Sequence, residues 1–529
     1  MTDTLHPPHT SEPRLPAHNA QRIGFAAGVV AAVVMLLAIV LLRALSGVTS
    51  LPEIVGEGLL SVMPGALFSA VLDSLQHAAK PLFYFSVAIG MVVVGGFLGR
   101  WYASSQPSWR QAAKIVVGTW LVFGVGIYTV LGAGIFGQHL LAGAVWHAAS
   151  LLIVFGVYGV ALYETYGLLA RRALPTLVTP DVTRRTLLRN AAIALAATVG
   201  AGTAWRLLTG LDTGSVGPPL AAGSATAAEP NPPPYDVKGI SAEITPTNDF
   251  YTVSKNFIDP TVAVSGWRLT IDGLVDRPME LTYDDLTALP ASEGFYTLMC
   301  ISNEVGGDLW GNGRWRGVKL KYLLEQAGVH LDGYKAIFAA ADGYKDSVRL
   351  DAALHPDALL AWEMNGAPLK TEHGFPARLL IPGIYGMKNV KWLSGITIVA
   401  NDFHGFWQSQ GWDDAAPYQT ASRIDAPFGR ATLAPGTLAV GGVAFAGDRG
   451  IQSVEISMDQ GQTWLAAQVK PGLSANTWQL WRTDVEVSRT TREIRVRATD
   501  GLGRLQTRES APPFPAGSTG YDSITIAVS

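Results

Sequence analysis

A single cysteine, Cys300, stands in 529 residues. That excludes an intrachain disulfide framework and any zinc or iron–sulfur centre built from several thiolates. Charge is scarce as well: Asp, Glu, Lys and Arg make up 15% of the chain, with 39 basic against 42 acidic residues and a net charge of −3. No global basic field exists to hold nucleic acid, and no nucleic-acid partner is expected. Histidine is sparse where it would count for haem. A transmembrane haem needs two axial ligands facing each other across helices, and only His147 lies clearly within an apolar run, so no haem is expected.

Apolar residues, by contrast, make up 48% of the chain, and the mean hydropathy is +0.23. This is too apolar for a wholly soluble chain and too mixed for a purely membrane one. The length exceeds what one core organises, so several domains are expected. The apolar residues crowd into the first two-fifths. Uncharged runs at Ile23 to Leu42 and Pro81 to Gly99 are each long enough to cross a bilayer. A longer run, Val116 to Tyr163, must fold back near Gln138 and His139 and supplies two more spans. Asn190 to Trp205, rich in Ala and Gly, is a shorter fifth, and Gly58 to Leu72, holding Pro64, reads as a loop or interfacial helix. The expectation is an N-terminal transmembrane helical bundle of about five spans.

Alternate loops divide the cations unevenly. One set carries Arg14, Arg22, Arg100, Arg110, Lys114, Arg171, Arg172, Arg184, Arg185 and Arg189; the other carries Arg43, Lys80 and Arg206. By the positive-inside rule the first set is cytoplasmic. An odd number of spans then places the rest of the chain on the periplasmic or extracellular side of a multi-pass cell-membrane protein. Thr183 to Arg189, followed by a weakly hydrophobic run, looks like an internal twin-arginine export signal, the alternative being ordinary positive-inside anchors.

Residues 1–210 therefore read as the membrane domain, and 211–234, almost entirely Gly, Pro, Ala and Ser, as a flexible linker. Residues 235–400 mix α and β. Strands are expected at 267–271, 378–382 and 390–399, with a helix opening at Tyr283 and another over 320–326 stopped by Gly328. Residues 401–529 hold a connecting segment and then short strands at 438–446, 451–458, 463–468, 477–484, 493–498 and 523–528, the pattern of a β-sandwich.

Several separated motifs then occur in order: Asn248-Asp249-Phe250-Tyr251; Trp267 to Gly273; Thr297-Leu298-Met299-Cys300-Ile301-Ser302-Asn303-Glu304; Gly311 to Val318; and Tyr385-Gly386-Met387-Lys388-Asn389-Val390-Lys391-Trp392. Together they resemble the sulfite oxidase superfamily of molybdopterin enzymes, over roughly Ile240 to the C-terminus. The resemblance implies an α+β sulfite-oxidase-like molybdopterin domain and an immunoglobulin-like sandwich of the kind that forms homodimers. It implies a Mo-molybdopterin cofactor with Cys300 as the protein's ligand to the metal. A lone cysteine is otherwise most often a small buried hydrophobe. A soft thiolate does suit a metal already bound by sulfur.

By the same resemblance, Asn248, Tyr251 and Thr252 pack against metal and pterin, or else form a turn cluster. His373 and Arg378 contact the pterin, or else make a surface turn. Asn389, Val390 and Lys391 form a phosphate cradle of amides and a cation. Arg314, Arg316 and Lys255 are candidates to hold an anionic substrate, because a guanidinium fork matches its oxygens. Tyr344 resembles a tyrosine kept near the metal. Val253, however, stands where anion-oxidising relatives place an arginine, and Ala341 where periplasmic relatives have a threonine.

The implied function is oxygen-atom transfer on a small sulfur- or nitrogen-centred molecule, sulfite dehydrogenase-like or sulfoxide/N-oxide reductase-like. Electrons would pass to or from a separate carrier or a quinone. The rival readings are a non-catalytic membrane-anchored binding protein on a degenerate molybdopterin fold, and a cysteine peroxidase with a low-pKa thiolate.

Overall fold

The computed structural model describes residues 15–46, 49–63, 79–105, 107–138, 140, 143–173, 184–209, 237–256, 259–427 and 432–529. Two compact units result, a helical one before residue 210 and a β-rich one formed mainly by the chain from residue 262 onward. The linker expected at 211–234 lies outside the described residues.

In the helical unit, α1 (Ala17–Ser46), α2 (Leu51–Val62) and α3 (Ala79–Ser104) are followed by α4 (Trp109–Leu121), which continues through a π-helical turn to Val130. Then come α5 (Gly143–Ala173) and α6 (Arg184–Thr209). Four stretches are long and apolar enough to cross a membrane: 17–46, 82–104, 109–130 and 143–173. The expected fold-back falls between Val130 and Gly143. The helix α6 has the length of a span, 26 residues, but its small residues and arginines leave it outside this group.

The helices α1 and α3 meet backbone to backbone. Gly24 and Gly28 of α1 face Gly95 and Gly99 of α3, and a β-carbon on Gly28 would lie 2.2 Å from the Gly95 carbonyl oxygen. Two small-xxx-small stripes permit this approach, and Tyr158 of α5 closes over it with a 2.6 Å hydrogen bond to the same carbonyl. Arg43 and Glu53 pair at 3.2 Å with little exposure of either. His147 is buried in α5 with its ring 6.0 Å from that of Tyr128. A Gly28→Leu substitution is expected to force the helices apart and cost about 1–3 kcal/mol. Thermal unfolding in detergent, followed by circular dichroism, measures it; an unchanged midpoint would show that the helices do not meet here.

The second unit starts from two sheets. Strands β1 (Leu269–Gly273), β2 (Met279–Leu281), β3 (Ser292–Met299), β4 (Trp310–Lys319), β5 (Lys335–Ala340), β6 (Lys345–Arg349), β7 (Leu359–Met364), β8 (Ala367–Pro368), β9 (Arg378–Leu380) and β10 (Leu393–Val399) build them. One runs β2-β1-β10-β5-β6 and the other β3-β4-β7-β8, with β9 also on β7. The pair β1–β10 is parallel, and the other pairs in these sheets are antiparallel. Helix α7 (Tyr283–Ala288) begins with a Thr282/Asp285 capping box, and α8 (Leu320–Ala327) ends on Gly328, whose φ of 69° suits glycine. Their apolar faces join Leu269, Ile271, Phe338, Leu379, Ile396 and Ile398 in one core.

The C-terminal part is all antiparallel but for one short pair. Strands β11 (Ala421–Ala426), β12 (Thr432–Leu433), β13 (Gly436–Phe445), β14 (Ile451–Ser457), β15 (Leu465–Ala466), β16 (Gln468–Val469), β17 (Gln479–Val487), β18 (Glu493–Asp500), β19 (Asp522–Thr525) and β20 (Ala527–Val528) form it. Its two four-stranded sheets run β11-β13-β17-β16 and β15-β14-β18-β19. Between them lie Val440, Val454, Ile456, Trp481, Ile494 and Val496. A further aromatic cluster joins this part to the mixed sheets: Met299, Ile301, Trp310, Tyr385, Tyr418, Phe445 and Trp478 pack together. Cys300 sits between two members of that cluster.

Candidate functional site

Strand β3 delivers Cys300 at its C-terminal end. The loop after it is closed by three hydrogen bonds: Cys300 N–H donates to Leu309 O (2.9 Å), Asn303 N–H to Cys300 O (3.1 Å), and Leu309 N–H to Asn303 Oδ1 (2.8 Å). Asn303 thus holds the turn that presents the thiol. The sulfur lies 2.9 Å from Ser302 Oγ and carries no disulfide. Burial pushes the thiol up, opposed by the Ser302 hydroxyl and the Lys391 charge. A peroxidase thiolate requires the reverse shift.

Other chain segments converge on this sulfur. Its charge raises the pKa of Tyr251, Tyr344, Tyr385 and Tyr418, in each case after the larger effect of burial. Tyr385 is pushed up to about 12. Gly386 passes so close to Tyr251 that a β-carbon there would stand 2.7 Å from the tyrosine oxygen. Tyr344 Oη lies 2.6 Å from Asp346 Oδ2 and 3.0 Å from Met387 O.

Arg378 and His373 form the next layer. Arg378 donates to His373 O (3.1 Å) and Asn389 O (3.3 Å), and its guanidinium lies 5.2 Å from the Trp315 ring centre. Its Nε is buried without a partner, and among the described residues no carboxylate pairs with it. Burial lowers it to about 10. His373 Nε2 lies 2.9 Å from Thr247 O, and burial lowers its pKa. Lys391 Nζ donates to Glu372 O (3.0 Å).

Asn389 spends its side chain on the chain itself. Its Oδ1 accepts from Ile381 N–H (2.6 Å) and its Nδ2 donates to Tyr385 O (3.1 Å), which fixes the turn between β9 and β10. Val390 is buried, and its carbonyl accepts from Leu379 N–H (2.9 Å). Asn248 and Thr252 lie at the surface of the 247–255 loop, Asn248 bonded to the Lys370 ammonium.

The anion-clamp candidates are engaged elsewhere. Lys255 donates to Asp342 O (3.1 Å) and pairs with that carboxylate at 3.8 Å. Arg314 follows Gly313 on β4 on the face opposite the fully buried Trp315, and its guanidinium reaches Gly366. Arg316 pairs with Glu363 at 3.0 Å. Val253 is 44% exposed, at the position where an arginine would be looked for.

The residues present fit a molybdopterin. A buried guanidinium with an orphan N–H and, among the described residues, no counter-carboxylate is set for an anionic group, and a second cation, Lys391, acts electrostatically on a buried thiol that carries no disulfide. When bound, such a cofactor supplies a two-electron redox change coupled to oxygen-atom transfer. Arg378, Lys391 and the 386–391 turn would hold it, and Cys300 would ligate its metal. Reading the sequence missed Ser302, Asp346, Lys388, Tyr385 and Tyr418 as parts of this site. Ser302, Tyr385 and Lys388 stand inside the ordered motifs, whereas Tyr418 comes to this region, at Met299 N–H, only through the fold.

Residues 256–407 match the oxidoreductase molybdopterin binding domain family, and residues 419–511 the Mo-co oxidoreductase dimerisation domain family. Sulfite oxidase of Arabidopsis thaliana is 30% identical over 327 residues, covering 50% of this chain and 83% of the relative. Mitochondrial sulfite oxidase of Rattus norvegicus is 31% identical over 319 residues, covering 51% of this chain and 58% of the relative. Among solved structures, the sulfane dehydrogenase SoxCD of Paracoccus pantotrophus aligns with a TM-score of 0.48 at 22% identity, over 55% of this chain and 84% of that one.

Proposed function

Since the chain belongs to the sulfite oxidase superfamily of molybdopterin-dependent oxidoreductases, we propose that it moves an oxygen atom to or from a small sulfur- or nitrogen-centred substrate. Electrons then pass to or from a separate carrier or a quinone. The observation that carries this reading is a buried thiol without a disulfide, Cys300, in the same domain as a buried Arg378 guanidinium whose Nε has no partner. The relatives' name, sulfite oxidase, supports a sulfur-centred substrate.

The charges favour a neutral one. Lys255 and Arg316 are paired with carboxylates, Arg314 is turned to Gly366, and Val253 offers no charge. A sulfoxide or N-oxide needs no dianion clamp. The full chain in detergent is therefore expected to contain stoichiometric molybdenum and to turn over a dialkyl sulfoxide with a reduced dye faster than it oxidises sulfite with an oxidised one. Metal-free protein would overturn the cofactor reading and leave the degenerate-scaffold alternative. Faster sulfite oxidation would overturn the preference for a neutral substrate.

The same reading takes the four apolar helices as an anchor in the cell membrane, with α6 as a fifth crossing. The arginine-rich loops would face the cytoplasm and the catalytic part the periplasmic or extracellular side. Arg184 and Arg185 would then belong to an uncleaved export signal of twin-arginine type. Residues 401–529 would pair two copies through an immunoglobulin-like sandwich.

A further inference from the structure

Oxygen-atom transfer moves protons as well as oxygen. Reducing a sulfoxide to a sulfide consumes two protons and two electrons and releases water; oxidising sulfite with water releases two of each, the electrons going to the separate carrier. A buried site must exchange those protons with solvent, and the residues beyond Tyr344 form a continuous chain able to do so.

Tyr344 Oη is 2.6 Å from Asp346 Oδ2. Asp346 Oδ1 accepts from Lys388 Nζ at 2.9 Å, with neither side chain exposed at all. Lys388 Nζ continues to Asp414 Oδ1 at 3.1 Å, and the Asp414 side chain is 34% exposed. The outer carboxylate is held in place by Lys335, whose Nζ lies 2.6 Å from Asp414 Oδ2 and 2.6 Å from the exposed Asp402. Two further bonds, from Lys388 Nζ to Ser347 O (2.9 Å) and from Lys335 Nζ to Phe403 O (2.9 Å), fix both ammonium groups.

We propose that Tyr344, Asp346, Lys388 and Asp414 form a proton path between solvent and the Cys300 site. In the reducing direction Tyr344 gives its hydroxyl proton to the departing substrate oxygen. It is recharged by a Lys388 proton passed through Asp346, and Lys388 is recharged from water at Asp414. Oxidation runs the same transfers in reverse.

A buried ion pair is by itself weak evidence of stabilisation, because desolvation offsets its attraction. The chain Asp346–Lys388–Asp414 is costly architecture for a scaffold, whereas conduction requires it to be continuous. The proposal rests on the oxygen-transfer reading, and its test separates the two.

In full-length protein transferred to D2O, infrared spectroscopy follows deuteration of the Tyr344 hydroxyl, assigned by Tyr344→Phe. Asp414→Asn is expected to slow that exchange by about tenfold and to lower turnover by about tenfold to a hundredfold with a raised solvent isotope effect. Asp414→Glu is expected to restore both. Asp402→Asn, which leaves Lys335 paired with Asp414, is expected to give a smaller slowing. Unchanged exchange in Asp414→Asn, or exchange that the glutamate does not restore, overturns the path. Normal exchange effects in a protein without molybdenum would uphold the path and overturn the proposed reaction.

Discussion

Replacing Cys300 with serine is expected to lower turnover at least about a hundredfold, a loss as large as those found when metal-site partners are removed, while the fold survives. The survival follows from the surroundings. The sulfur is buried, with Ser302 Oγ 2.9 Å away, and a serine hydroxyl of similar size can make the same bond. The main-chain bonds that shape the loop, from Cys300 N–H to Leu309 O and from Asn303 N–H to Cys300 O, do not involve the side chain. The loss follows from ligand chemistry: a hydroxyl is a hard, weakly acidic donor where a soft thiolate is wanted. The measurements are the steady-state rate with an artificial dye, molybdenum content, and a thermal melt. Full activity in the variant would remove Cys300 from the chemistry, and with it the reading of this site.

Much of the architecture could be read from local signals, because local physics produces it. Thr282 and Asp285 form a capping box, Gly328 ends its helix in the left-handed region, and strand Glu493–Asp500 alternates buried and half-buried residues. Strands β4 and β7 are hidden for the opposite reason. Trp310–Lys319 and Leu359–Met364 are buried almost throughout, so the alternation that marks a strand is absent from them. Trp315 is buried within a run of glycines and arginines that looks like solvated chain.

The same split holds at the site. Cys300 and Lys391 were visible as parts of ordered motifs, and both come to the same place. Tyr418 is 118 residues along the chain from Cys300 by sequence number, and nothing local to it announces that its hydroxyl will meet Met299 N–H at 3.4 Å. Arg314 stood out because of its charge, but strand parity puts it on the face opposite Trp315. Lys388 lies in the 385–392 motif and Asp346 in none, and their meeting depends on how β6 and the turn before β10 are packed.

Arg378→Met is expected to separate cofactor binding from folding, lowering the first without lowering the second. In the chain alone the guanidinium is a liability: it is buried, its Nε has no partner, and burial lowers its pKa to about 10. Burying a charge without a counter-ion costs desolvation free energy, and an apolar side chain of similar volume removes that cost. Methionine can keep the packing against Trp315, although the bonds to His373 O and Asn389 O are lost. An unchanged or raised melting temperature is therefore expected for the cofactor-free protein. Molybdopterin content should fall at least about tenfold, since losing one charge-assisted hydrogen-bond partner of an anion costs about 1.5–3 kcal/mol. Arg378→Lys should recover part of the content, keeping the charge without the fork. If the variant instead melted much lower while retaining its cofactor, the arginine would be holding His373 and Asn389 together for the fold alone, and the anionic ligand would have to be sought beside Lys391.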